Sequence, residues 1–219
     1  MSNITVSQAL QGRRSIRYFN DRPVDKSIIE NIIRDAQWAP SWANAQPWQA
    51  YVATGKTLAA IKAAHLDFIR NRVPSRPELA TEHRENWGTK AQRNMGEWWQ
   101  DLQRSLTPDH AHEFGESQTE LFNAPALVYL TAHRDSPLWA LYDVGAFGQS
   151  LMLSAYAQGV DSMPAYELVK YPQYVRELMG IPDNERLIMG IALGYRAEEK
   201  INEFRSQREP LKNVLVLKE

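Results

Sequence analysis

APSWANAQPW, residues 39–48, is the stretch that decides how this chain is read. Pro40 and Pro47 bracket a short polar segment, Ser41 to Gln46, which carries Asn44 and the indole of Trp42. Proline fixes φ and lacks an amide donor, so both ends are rigid and the segment is a shaped loop. Its amides and hydroxyl include no ionisable group. Such groups either orient a polar heterocycle or satisfy the loop's own backbone, and both readings are open. Downstream, Trp48, Ala50 and Val52 alternate with Gln49, Tyr51 and Ala53 before Thr54-Gly55, the period of a half-buried strand. Upstream, Ile28, Ile29, Ile32, Ile33 and Ala36 recur on one helical face. Ser27 and Glu30 have capping-box spacing, and that helix is expected to end at Pro40.

Further out, a first helix is expected through Val6–Leu10, with Gly12 as its stop. RRSIR, residues 13–17, follows at once: Arg13, Arg14 and Arg17 with Ser15 supply the guanidinium forks and hydroxyl that bind a phosphate. A solvated basic turn is the competing reading. A second pair, Arg205 and Arg208 in FRSQREP, joins the first only if the fold brings the two together. ALVYLTA, 126–132, and RLIMGIALGY, 186–195, read as buried strands. Between them lies LWALYDVGAFGQSLMLSAYAQGV, 138–160, apolar on nearly every side but interrupted by Asp143, Gly145, Gly148 and Gln149. It reads as a central core helix rather than a membrane span, which needs a nearly uninterrupted apolar run. DSMPAYE, 161–167, is another proline-constrained loop, with a backbone able to approach a flat ligand. NVLVLK, 213–218, is strand-like and needs a sheet to join.

Residues 65–118 change character, becoming charged and tryptophan-dotted, and are expected to form two or three helices as an insertion or lid. Trp98, Trp99 and Phe114 there are candidates for packing on an aromatic substrate, in competition with an ordinary helix-core role. In HAHE, 110–113, the two histidines stand at i, i+2 and do not share a helical face, so no metal site is expected.

Composition narrows the chemistry. There are no cysteines among the 219 residues, which excludes disulfides, thiolate nucleophiles, iron–sulfur clusters and cysteine-ligated zinc. The net charge of −1 offers neither nucleic acid nor an anionic membrane an extended basic footprint. MSNITVSQAL lacks the basic patch and apolar run of a secretory signal, so a cytoplasmic location is expected.

In combination these motifs become recognisable. RRSIRYF followed by APSWANAQPW closely resembles the nitroreductase family of FMN-dependent oxidoreductases, and SMPAYE, IALGY and FRSQREPL follow in the family's order. The resemblance covers essentially the whole chain apart from 65–118. It implies an α+β fold in which helices surround a mixed central sheet, as one FMN-binding domain over 1–219 with residues 196–219 extending toward a partner. It also implies an interlocked homodimer with FMN at the subunit interface. Arg13, Arg14, Ser15 and Arg17 match the segment that holds the FMN phosphate, ribityl chain and pyrimidine edge. Pro40, Ser41, Trp42 and Asn44 match positions that reach the flavin bound mainly by the other subunit, and Trp42 is bulky enough there to narrow the pocket or stack on substrate. Pro164, Ala165 and Tyr166, with Glu167 adjacent, match the loop whose backbone meets flavin N5. Arg208 matches a phosphate-binding arginine of the tail and Arg205 matches it more loosely.

The activity implied is transfer of electrons from NAD(P)H through FMN to nitroaromatics, quinones or similar electron-poor acceptors, in a ping-pong cycle. The flavin carries the chemistry, so no catalytic side chain is named, with Arg17 the candidate for stabilising charge at N1–C2=O. Two alternatives accompany this: another flavin reaction on the same fold (reductive dehalogenation, heterocycle oxidation or flavin fragmentation), and a non-catalytic flavin-binding sensor.

Overall fold

The computed structural model describes residues 4–219; Met1, Ser2 and Asn3, part of the stretch read for a secretory signal, lie outside the described residues. Helix α1 (Val6–Gly12) opens with a reciprocal capping box, Gln8 N donating to Thr5 Oγ1 at 3.2 Å and Thr5 N to Gln8 Oε1 at 2.8 Å. Helix α2 (Lys26–Ala36) starts one residue before the expected cap: Asp25 is its N-cap, and the amides of Ile28 and Ile29 both donate to the Asp25 carbonyl. It also ends at Ala36 rather than running on to Pro40. Strand β1 (Trp48–Ala53) spans the expected residues, and helix α3 (Gly55–Arg70) follows directly.

Helices α4 (Thr89–Ser105) and α5 (Glu113–Thr119), with short 3₁₀ turns at Arg84–Asn86 and Pro108–His110, make up most of the charged middle region. Then come β2 (Ala126–His133), the core helix α6 (Trp139–Ala157), β3 (Asp161–Ala165), α7 (Pro172–Met179) and β4 (Glu185–Gly194). Among the described residues no helix is long and apolar enough to cross a membrane.

The sheet runs β1-β2-β4-β3 and all three pairings are antiparallel. Parallel pairing enters only through an isolated bridge between Ser15 and Ser162, which is the mixed character the sheet has within one chain. The centre strand β2 is buried on both faces. Leu127 and Tyr129 join Leu58 and Ile61 of α3 and Val175 of α7 on one side, while Val128 and Leu130 join Ile32 of α2 and Phe147 and Leu151 of α6 on the other. That is the period-2 alternation of a strand with a core on each face.

Two expectations are corrected. Asp161–Ala165 is a strand, not a loop; proline is tolerated because β3 is the outermost strand, bridged on its far side at Ser162 and not at Pro164. NVLVLK is not a strand in the single chain: after a 3₁₀ turn at Leu211–Asn213, Val214, Leu215, Val216 and Leu217 are 68, 44, 79 and 77 % exposed. Among the described residues no strand of the same chain pairs with them to complete a ladder, and a lone segment does not hold strand geometry in water.

Candidate active site

The RRSIR segment is held by what flanks its arginines. Arg13 N closes the end of α1 on Ala9 O, and Ile16 N donates to Ser162 O of β3 at 3.1 Å. Ile16 and Phe19 are fully buried, which anchors the segment in the core and leaves the arginines to turn the other way. Asn202, 6 % exposed, ties the segment to the C-terminal tail. Its Oδ1 accepts from Arg17 N at 2.8 Å and Tyr18 N at 3.1 Å, and its Nδ2 donates to Tyr18 O at 2.7 Å and Ala197 O at 3.0 Å. Glu113 of α5 fixes the same stretch of tail by accepting from Ile201 N at 2.9 Å, with His110 Nδ1 on its other oxygen. Sequence reasoning singled out none of Asn202, Glu113 or Phe204 for the site. HAHE drew attention only as a metal pattern, and among the described residues no group of three or more His, Cys, Asp or Glu gathers to hold one.

The tail then delivers Arg205 and Arg208 to the same cavity as Arg13, Arg14, Ser15 and Arg17, a space of about 360 Å³ walled by Trp98 of α4 and by Phe204. The two arginine groups, nearly 190 residues apart in the chain, do converge. Among the described residues none of these five guanidiniums is paired with a carboxylate; Asp161 is occupied by Arg196 at 2.6 Å. Arg13 Nε and Nη1, Arg14 Nε and Arg17 Nε are buried with no hydrogen-bond partner. Burial and the nearby Arg208 pull the pKa of Arg13 down, and burial with Arg196 and Arg205 does the same to Arg14. Burial alone lowers Arg17 to about 10, which leaves it charged at neutral pH. Such a cluster of mutually repelling, unsatisfied donors is matched by an anion with several acceptor oxygens.

The Ser41–Gln46 loop is rigid, with Ala43, Asn44 and Gln46 all at positive φ (45, 59 and 46°). Gln46 N donates to Ser41 Oγ at 3.0 Å and Gln46 Nε2 to Asn44 Oδ1 at 3.1 Å, so the two amides serve the loop itself within this chain. Trp42 N donates to Oδ2 of the buried Asp143 at 3.2 Å. That contact explains the acid inside an otherwise apolar helix, whose partner the sequence could not name. Trp42 is 67 % exposed and packs edge-on against Trp139 at 5.5 Å, with Tyr142 beyond. Pro40, Ser41, Trp42 and Asn44 do not line the arginine cavity of their own chain.

Pro164 and Ala165 pair with Ile191 and Gly190 of β4, and Tyr166 is partly exposed in the turn that follows. The Glu167 side chain turns inward instead. Its Oε1 meets Lys170 Nζ and lies 3.1 Å from Nε2 of the fully buried His65, whose Nδ1 is 3.0 Å from the Tyr174 hydroxyl. Burial pushes the Glu167 pKa up, but His65 and Lys170 outweigh it and hold the carboxyl below its ordinary range. The Glu167 carboxylate is thus committed to the core, where an unpaired charge would be costly. Trp99 and Phe114 also fall elsewhere, edge-to-face at 5.5 Å around a separate cavity of about 280 Å³ with Leu102 and Leu106. Of the three aromatic candidates of the middle region, Trp98 alone lines the arginine cavity.

A four-stranded antiparallel sheet between two helical layers, with an arginine-lined cavity where the N-terminal segment meets the tail, defines the class of protein. Residues 10–195 match the model of the nitroreductase family, and the chain belongs to that family. It is 31 % identical over 216 residues to a 4-nitrobenzoate reductase of Nocardioides sp. (strain LMS-CY), covering 92 % of this chain and 85 % of the relative. It is 29 % identical over 205 residues to the 4-nitrobenzoate reductase of Pseudomonas putida, covering 90 % and 88 %. The crystal structure of the FMN and NADPH-dependent nitroreductase NfnB from sphigopyxis sp. strain HMH superposes with a TM-score of 0.87 at 30 % identity, covering 98 % of this chain and 99 % of that one.

Proposed function

We propose that this protein is an FMN-dependent NAD(P)H oxidoreductase that reduces nitroaromatics, quinones or similar electron-poor molecules in a ping-pong cycle. The observation that carries the reading is the cavity of five uncompensated guanidiniums with buried, unpartnered N–H groups, in a nitroreductase-family chain. The donor set fits FMN: Arg13, Arg14, Ser15, Arg205 and Arg208 hold the phosphate, and the aromatic walls suit a flat ring. The two 4-nitrobenzoate reductases and NfnB support the acceptor class and the nicotinamide donor. Bound FMN supplies two-electron chemistry between nicotinamide and acceptor.

The protein's own share is binding, orientation and charge. Arg17 would offset negative charge at the N1–C2=O edge, and a buried cation acts more strongly than one in solution. The β3 turn at Pro164–Tyr166 would offer its backbone to N5, and the Glu167–His65–Lys170 contacts hold that turn in place. Gly190 allows that turn to sit close, since a Cβ there would meet Leu168 Cβ at 2.3 Å.

The active form is a homodimer in this reading. Trp42, Trp139 and Tyr142 form an exposed aromatic surface, larger side chains than a free monomer usually shows together. The outer edge of β1 is open beside an apolar groove lined by Val24, Ile29, Ile33 and Val52, and the exposed Val214–Leu217 run of a second copy suits it. The loop of Pro40–Asn44 then finishes the partner's flavin pocket. Purified protein should be yellow and dimeric, bleach anaerobically with NADH or NADPH, and regain its colour with 4-nitrobenzoate. Protein that takes up no FMN, or holds it without any exchange of electrons, refutes the reading. Truncation after Pro210 should release monomers, and an unchanged dimer would refute the tail's role.

A further inference from the structure

Within the cavity Arg17 is set apart from the other guanidiniums. It is 7 % exposed, its Nη1 makes one long bond to Ser15 O at 3.3 Å, and its Nε is buried without a partner. Its surroundings are aromatic. The guanidinium carbon lies 5.8 Å from the ring centroid of Trp98 and 5.6 Å from that of Phe204, and the two rings meet at 69° with centroids 6.4 Å apart. The indole comes from α4 and the phenyl from the tail two residues after Asn202, so elements distant in sequence converge on one cation.

We propose that Trp98 and Phe204 are positioning residues: their rings hold the Arg17 guanidinium aimed into the cavity and thereby set how strongly the site favours negative charge on a bound flavin. The inference rests on the FMN reading above and assigns Trp98 a role other than stacking on substrate. The negative quadrupole of each ring attracts a cation, and the attraction is largest when the pair is desolvated, as here. With no carboxylate beside it among the described residues, Arg17 has little else to fix its direction. Loss of one ring lets the guanidinium swing away, and the loss is felt most where the flavin carries most negative charge, in its reduced form.

The test uses FMN-loaded Trp98→Leu, Trp98→Phe, Phe204→Leu, Arg17→Gln and the Trp98→Leu/Arg17→Gln double variant. The readouts are the midpoint potential of the bound flavin, the FMN dissociation constant and the acceptor KM. Trp98→Leu should weaken binding of reduced relative to oxidised flavin by about 5–30-fold, a fall of about 20–45 mV in the two-electron potential. Trp98→Phe should keep most of the wild-type potential, and Phe204→Leu should lower it independently of any folding defect at Trp98. In the Arg17→Gln background Trp98→Leu should add almost nothing, because the indole acts through the guanidinium. An unchanged potential with a raised acceptor KM, or an equal shift in both backgrounds, would overturn the proposal. Wild-type protein that takes up no FMN would overturn the flavin reading and this inference together; bound FMN with an unshifted potential overturns this inference alone.

Discussion

Replacing Asn202 by alanine removes the joint between the RRSIR segment and the tail. The side chain makes four hydrogen bonds in a 6 % exposed position, and alanine removes all of them. Tyr18 O keeps a partner, because Ala197 N donates to it at 3.1 Å, so that carbonyl contributes little to the loss. The amides of Arg17 and Tyr18 lose their acceptor, and a buried donor left unmade costs about 1–3 kcal/mol. With partial relief from water entering the space, the net destabilisation should be about 2–4 kcal/mol. Urea unfolding of the FMN-free protein reads this as a lower midpoint with an unchanged slope. FMN affinity should fall as well, because Arg17 and Arg205 lose their common reference. Asn202→Asp keeps the acceptor but sets a carboxylate oxygen against the Tyr18 and Ala197 carbonyls in a buried position, and should not rescue the loss at neutral pH. A loss below about 0.5 kcal/mol for Asn202→Ala, the range of an ordinary surface change, would refute the assignment of Asn202 as the joint.

Two further outcomes follow from the turn after β3. Gly190→Ala places a Cβ 2.3 Å from Leu168 Cβ, so β4 or the 166–168 turn must shift. A cost of about 1–3 kcal/mol in stability with weaker FMN binding is expected, and unchanged FMN binding would dissociate the turn from the flavin. For Glu167, whose pKa is held below its ordinary value, the stability it contributes is present above the unfolded glutamate range and is lost as pH falls through the folded value. Acid unfolding of Glu167→Gln should therefore show a shallower fall in stability through that window than wild type, and identical profiles would count against the buried pairing.

Much of the framework was legible in the residues. The alternation Trp48–Ala53 and the apolar run at 126–132 both became strands, because a two-sided core leaves a plain hydrophobic pattern. RRSIR was legible as a concentrated set of guanidinium donors, and the fold does gather its arginines around one cavity. The rest depends on distance. Asn202 and Glu113 are ordinary polar residues until folding sets them against backbone donors more than eighty residues away. Pro164 disguised an edge strand as a loop, and nothing local to Glu167 shows that His65 and Lys170 claim its carboxylate. The Val214–Leu217 run reads as an apolar segment in need of a ladder, and in the single chain it stays exposed without one.

The central claim is that the arginine cavity receives the phosphate of a flavin mononucleotide. Riboflavin has the same ring and ribityl chain without the phosphate, so titrating the flavin-free protein with each ligand isolates that contact. Two or more charge-assisted hydrogen bonds at about 1.5–3 kcal/mol each predict that FMN binds about 10²–10⁴-fold more tightly than riboflavin, with inorganic phosphate competing. Equal affinity for the two flavins would contradict the account.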